Sequence, residues 1–172
     1  MFKKRNHVLM SVLMVVLAAA MLAWPSVTGK EQSIRTRRGR EMSVDLVLDD
    51  SSDPSVAGLT GQLNFDAKLF SNPRIAAGAG APGFIAAGQL VDPGKYRFTV
   101  YHNPMTTLSL EQTIVTFAFH VNATGSGTAQ SEMTYSLATA GDATNSNLSP
   151  VSFGAVAIDI ESSAGPWWQQ YK

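Results

Sequence analysis

The sequence predicts an all-β protein built as an antiparallel β-sandwich, and three observations predict it. After Glu41 the apolar residues recur with a period of two, which is the mark of strands with one buried face. Clusters of Gly, Pro, Asn, Asp and Ser interrupt that alternation at intervals of about ten residues, as the turns of a sandwich do. Helical periodicity is nearly absent from the same stretch. The chain has 172 residues, room for one core plus appendages. Apolar residues make up 45% of it and charged ones 15%, too apolar a balance for a disordered chain. It contains no cysteine, so disulfides, thiolate metal sites and cysteine nucleophiles are excluded and the core alone must hold the fold.

The strands follow in order. Val44, Leu46 and Leu48 alternate with polar neighbours until Asp49, Asp50, Asp53 and Pro54 end the run. Leu59, Gly61, Leu63 and Phe65 share one face while Thr60, Gln62 and Asn64 share the other; Asp66 begins the exit turn and Leu69 and Phe70 cap the core. The turn signal Asp92-Pro93-Gly94 precedes Tyr96, Phe98 and Val100, which alternate with Lys95, Arg97 and Thr99. Val115, Phe117, Phe119 and Val121 form the most apolar strand and are expected at a sheet centre. Met133, Tyr135 and Leu137 make a further short strand. Val156, Ile158 and Ile160 close the domain, with Asp159 and Glu161 facing water. The run from Ala76 to Gly88, rich in Gly and Ala, reads as a flexible loop, because it lacks the Lys-Ser or Lys-Thr of a phosphate-binding loop.

Ahead of this body, Lys3, Lys4 and Arg5 precede an uncharged stretch from Val8 to Trp24, the order of charge and apolar residues that export machinery reads. It is expected to form an N-terminal hydrophobic helix at the lower limit for spanning a bilayer of about 30 Å. Residues 1–29 are expected to be a signal peptide or membrane anchor, with small residues at Ala18, Ala20, Ala23, Ser26, Thr28 and Gly29 as cleavage candidates. If it is retained, this segment is the chain's one membrane contact. Residues 30–40 are expected to be a basic linker, carrying Lys30, Arg35, Arg37, Arg38 and Arg40. The sandwich is placed at 41–162 and an aromatic tail at 163–172.

The formal net charge of zero hides an asymmetry. From Glu41 to Glu161 four basic residues, Lys68, Arg74, Lys95 and Arg97, stand against 12 acidic ones. Such a body repels phosphates and argues against nucleic acid as a partner.

Several segments carry a family resemblance. Val56-Ala-Gly-Leu-Thr-Gly-Gln-Leu-Asn-Phe-Asp-Ala-Lys-Leu-Phe70, Lys95-Tyr-Arg-Phe-Thr-Val-Tyr101, Ile114-Val-Thr-Phe-Ala-Phe-His-Val121 and the ending from Gly141 through Pro150-Val151 to Ile158 resemble, in this order, strands of cohesin domains. The resemblance covers roughly residues 42 to 161. It implies a jelly-roll sandwich of about nine strands, of the kind also used by some carbohydrate-binding modules. It further implies a non-catalytic module that grips a dockerin-like protein partner through one flat sheet face. Many cohesins carry an Asn and an Asp at the start of the strand that forms this face. The matching positions here are Gly58 and Thr60, so no dockerin-contact residue is carried over.

Candidate chemistry is sparse. Of the three histidines, His7 lies in the targeting segment, His102 at a strand end and His120 on the face opposite Phe117 and Phe119; no Ser/His/Asp triad is marked by spacing. Asp49, Asp50 and Asp53 form an oxygen-rich cluster, a candidate for Ca²⁺ although the EF-hand Gly and closing Glu are missing; no other cofactor is implied. Trp167, Trp168 and Tyr171 crowd the tail, and with Tyr101 they are candidate rings for stacking on sugars or burying in a partner. The alternative is a tail folded back over a sheet edge. Asn122-Ala-Thr and Asn147-Leu-Ser match glycosylation acceptors, relevant only in a host that uses that pathway. The expected function is an exported binding module of the cell envelope or extracellular space, serving protein attachment, with polysaccharide handling as its setting; the alternative is a carbohydrate-binding module. Replacing Phe117 by Asp buries a charge at the predicted sheet centre and should abolish cooperative thermal unfolding followed by circular dichroism. A variant that still melts cooperatively would contradict the strand assignment.

Overall fold

A computed structural model describes residues 27–102, 106–125 and 127–162. The apolar stretch Val8–Trp24, residues 103–105 and the stretch bearing Trp167, Trp168 and Tyr171 lie outside the described residues, within which no helix is long and apolar enough to cross a membrane. The body is all strand: β1 (Val27–Gly29), β2 (Gln32–Arg37), β3 (Glu41–Val47), β4 (Val56–Asn64), β5 (Phe70–Ala77), β6 (Ile85–Asp92), β7 (Lys95–Tyr101), β8 (Thr113–Val121), β9 (Ala129–Asp142), β10 (Asn147–Leu148), β11 (Val151–Phe153) and β12 (Val156–Glu161).

The larger sheet runs β2-β12-β9-β4-β7-β6, with β10 on the far end of β9, and the smaller runs β3-β8-β5. Most pairs are antiparallel, while β1 with β11 and β2 with β12 are parallel. The two inner faces meet over aromatic rings. The Phe117 ring of β8 lies 5.0 Å from that of Phe98 on β7, edge to face, and Phe65 and Phe70 flank Phe119 in the same manner. Val44, Leu46, Leu59, Leu63, Val115, Phe117, Phe119, Ile158 and Ile160 are all buried, as their period-two spacing predicts. At roughly 1.5 to 3 kcal/mol for each large apolar side chain, this layer supplies the stabilisation that a disulfide-free domain needs.

Tyr135 points into the same layer, 5.5 Å from Phe153, and its hydroxyl is buried without a hydrogen-bond partner. Burial, with a smaller contribution from the negative charge of Asp45, pushes its phenol far above the ordinary tyrosine range.

Three expectations need correction. Residues 30–40 are no linker. Gln32–Arg37 is a strand in register with β12, from Gln32 opposite Val156 to Arg37 opposite Glu161. The sandwich begins at Val27, which is fully buried and donates its N–H to Pro150. The basic residues are built in: Arg38 is buried and donates to the carbonyls of Thr124 and Gly127, and Arg37 pairs with Glu161 at 2.8 Å. The segment escaped a strand reading because it is an edge strand with Ile34 as its one large apolar residue, so no hydrophobic alternation marks it.

The run Ala76–Gly88 is likewise not one flexible loop. Its ends belong to β5 and β6, and the turn between them is tied to β8 by Gly78 N–H to Ile114 O and Gly80 N–H to Thr113 O. Lastly, Leu137 does not follow Met133 and Tyr135 inward. Between Thr60↔Thr139 and Gln62↔Ser136 the ladder shifts, so that Leu137 and Ala138 oppose Gly61 alone. This bulge, with Leu137 at φ 52°, turns the side chain to solvent.

A Cβ on Gly78 would lie 2.2 Å from the carbonyl oxygen of Thr113, a backbone atom that cannot step aside. Gly78→Ala is therefore expected to destabilise by about 1–3 kcal/mol in chemical denaturation, the usual cost of forcing an extra methyl into packed structure. No change in the denaturation midpoint would show that this turn does not clamp onto β8.

Candidate functional site

Strand parity decides which side chains leave the larger sheet toward solvent. Tyr96, Phe98 and Val100 of β7 point to the core, so Lys95, Arg97, Thr99 and Tyr101 point out. Cross-strand partners share a face. Ile85 stands beside Tyr101, Ala87 beside Thr99 and Gln89 beside Arg97 on β6, while Thr60 and Gln62 of β4 complete the rows toward Thr139 and Ser136 of β9.

The result is a broad face of hydroxyl and amide groups with apolar points at its centre and one end. Thr60 and Thr139 hydroxyls meet at 2.7 Å, and Asn64 bonds Ser136 at 3.0 Å. These bonds hold the polar side chains flat and in fixed rotamers. Leu137 rises from the bulge at 63% exposure, the most exposed of the large apolar side chains described. Beside it a shallow groove of about 550 Å³ is lined by Thr60, Ala87, Gln89, Arg97, Thr99 and Leu137, among others. The Arg97 guanidinium has no ion pair among the described residues, whereas neighbouring Lys95 is engaged by Asp92 at 3.3 Å. At the other end of β7, Ile85 is 53% and Tyr101 46% exposed.

This geometry offers adhesion and positioned hydrogen bonds. Tyr101, a residue expected as a stacking ring, lies on this face, and among the described residues it is the one exposed large aromatic. His120 sits on the outer face of the smaller sheet, its Nδ1 3.3 Å from Glu41, which also pairs with Arg74 at 2.7 Å. The His102 ring lies 5.1 Å from that of Phe84, tilted at 45° to it.

The expected aspartate cluster is rearranged. Asp53 turns away and accepts hydrogen bonds from the N–H and hydroxyl of Ser55, while Glu111 takes its place beside Asp49 and Asp50. Sequence distance hid Glu111, which arrives on a separate loop. Lys30 already reaches this trio, 2.5 Å from Glu111. The Ser51 N–H holds Asp49 below the ordinary carboxylate range, and the hydrogen bond shared with Asp49 raises Asp50. A divalent ion here would have to compete with the lysine's ammonium.

Two features of the outer face were not singled out in the sequence. The outward direction of Arg97 was legible from the Lys95-Arg97-Thr99 alternation, but its lack of a partner depends on residues from three other strands. Leu137 carried the opposite signal, because in a period-two run it belongs to the core.

No family model matches the chain, and no curated protein does. Solved structures do match in fold. A cohesin from a type I cohesin–dockerin complex of Clostridium thermocellum superposes with a TM-score of 0.65 at 13% identity, covering 82% of this chain and 96% of that one. The cohesin module of a family 33 glycoside hydrolase from Clostridium perfringens gives 0.64 at 14% identity, over 80% and 97%. A non-cellulosomal cohesin from the archaeon Archaeoglobus fulgidus gives 0.61 at 9% identity, over 87% and 98%. The sandwich is cohesin-like in fold.

At the far end of β9, Asp142 accepts hydrogen bonds at 2.8 Å from the N–H groups of Ser146 and Thr144 and from the Thr144 hydroxyl. The Ser146 N–H is the largest influence holding this carboxyl below its ordinary range. A carboxylate depressed on folding stabilises the fold above its unfolded pKa, about 4, and that contribution vanishes as pH falls through the folded value. The melting temperature should accordingly drop more steeply on acidification below about pH 4 in the native chain than in Asp142→Asn. Equal slopes would show that the turn does not depend on the charge.

Proposed function

We propose that this chain is a non-catalytic binding module whose outer face on β9, β4, β7 and β6 docks a protein partner of the dockerin kind. The observation that carries the reading is the combination on one rigid face of the protruding Leu137, the unpaired Arg97 and a groove between them. A solvent-exposed leucine lifted out of a polar field is apolar surface that a partner gains by burying, and a guanidinium without an ion pair selects a carboxylate or carbonyl opposite it. The cohesin-like fold supports the same reading, since several of the structures it resembles come from complexes of cohesins with dockerins. The positions Gly58 and Thr60, a glycine and a hydroxyl, give the face a neutral upper β4 and point to a partner that relies on apolar and hydroxyl contacts there.

Export to the cell envelope or extracellular space belongs to this reading, supported by the charge-then-apolar order of the first 24 residues. The carbohydrate alternative is less favoured by the face itself. Tyr101 stands at its edge beside Ile85, and a sugar platform on the described residues would have that single ring.

Isothermal titration against type I dockerin modules tests the proposal. Leu137→Asp and Arg97→Glu should each weaken binding by about tenfold or more, as expected of central anchors, while Ser43→Asp on the outer face of the smaller sheet should leave it unchanged. Absence of dockerin binding, together with retarded migration in polysaccharide-containing gels, would overturn it in favour of the sugar-binding alternative.

A further inference from the structure

Two facing sheets leave strand edges open, and an open edge is a template for another strand unless something blocks it. The two main sheets of this sandwich end in β2, β6, β3 and β5. Three of these edges are obstructed. On β3, the side-chain amide of Gln32 stands in for a neighbouring strand, donating to the carbonyl of Asp45 and accepting from its N–H. On β5, Pro73 lacks a donor and the ladder is broken between Ser71 and Arg74, with Asn72 at φ 53°. On β2, Arg35 and Arg37 project from the exposed positions.

The fourth edge has none of these devices. From Ile85 to Val91 strand β6 holds no proline and no charge. Among the described residues its ladder partner is β7 alone; β5 comes near it without forming a ladder. Three of the five large apolar side chains exposed among the described residues, Ile85, Leu90 and Val91, belong to it.

We propose that β6 is a self-association edge, at which a second copy of this chain adds its own β6 in antiparallel register. The folded body carries 13 carboxylates against nine lysines and arginines, a mild acidic excess, and β6 offers a seven-residue strip without formal charge, so an antiparallel pair of identical β6 strands sets no like charges opposite each other. The pairing is isologous. A two-fold axis normal to the sheet sets outward residues beside outward residues, with the small Ala87 and Gly88 near the middle allowing close approach. Each strand satisfies the other's outer backbone groups, and Ile85, Leu90 and Val91 are covered in part. The groove on the docking face is lined by Ala87, Gly88 and Gln89 of this same strand, so the dimer sets two such grooves side by side on one continuous sheet. The inference does not rest on the dockerin reading.

Because the chain has no cysteine, single cysteines report the contact directly. The full chain in non-ionic detergent would be prepared as Ala87→Cys, as Gln89→Cys, and as a mixture of the two, then oxidised. A β6–β6 pair gives a disulfide-linked dimer in whichever of the three samples matches its register, while Ser43→Cys on the smaller sheet gives none. In sedimentation equilibrium the native chain should be dimeric, and the double variant Ala87→Lys with Gln89→Lys monomeric while still unfolding cooperatively, at a melting temperature that no longer rises with protein concentration. A native monomer, or a dimer that survives the lysines, would overturn the proposal.

Discussion

The contact that organises this molecule is the aromatic layer where β8 meets β7 and β9. Phe117, fully buried, lies within 5.0 to 6.4 Å of Phe98, Tyr135 and Tyr96, so one side chain of the smaller sheet touches two strands of the larger. Rings of that size set the separation of the layers and the phase of each strand. Once Tyr96 and Phe98 are inward, Lys95, Arg97 and Thr99 have no choice but to face water. The packing also dictates where side chains must be missing. A Cβ on Gly61 would lie 2.8 Å from the Phe98 ring and one on Gly88 2.5 Å from Tyr96, so both strands carry glycine beneath the rings.

The surface properties follow from that core by parity and by its one local violation. Alternation produces the flat field of Thr60, Gln62, Thr99, Ser136 and Thr139, and hydrogen bonding among several of these groups keeps it rigid. The bulge in β9 then breaks the alternation and lifts Leu137 out of the field. A face made only by parity would be polar and featureless. The inserted residue gives it an anchor, next to an arginine that has no ion pair among the described residues.

Much of the architecture was legible because most strands bury one side. Val44-Leu46-Leu48, Leu59-Leu63, Tyr96-Phe98-Val100, Val115-Phe117-Phe119-Val121 and Val156-Ile158-Ile160 alternate as they do because their faces differ in solvent. Where that difference is weak the signal fails. Strand β2 has Ile34 and a row of arginines, and β6 is exposed along nearly its whole length, so both read as connections. The acidic cluster was half legible for a different reason. Asp49 and Asp50 are neighbours in the chain, but Glu111 joins them from a loop more than sixty residues away, and Asp53, close in sequence, is captured by Ser55.

The sequence by itself determined that this chain makes a two-layered sheet protein without disulfides, where most of its strands lie, and which side chains each buries. These are local properties, set by alternation and by turn residues within a few positions of one another. Tertiary structure decided that the basic stretch before Glu41 is a strand, that Leu137 faces out, that Glu111 and Lys30 meet, and that β6 has no ladder partner beyond β7 among the described residues. Each of these depends on what a remote segment presents in register. A side chain's partners across a ladder, and the shift that one inserted residue imposes, exist only after distant strands have paired.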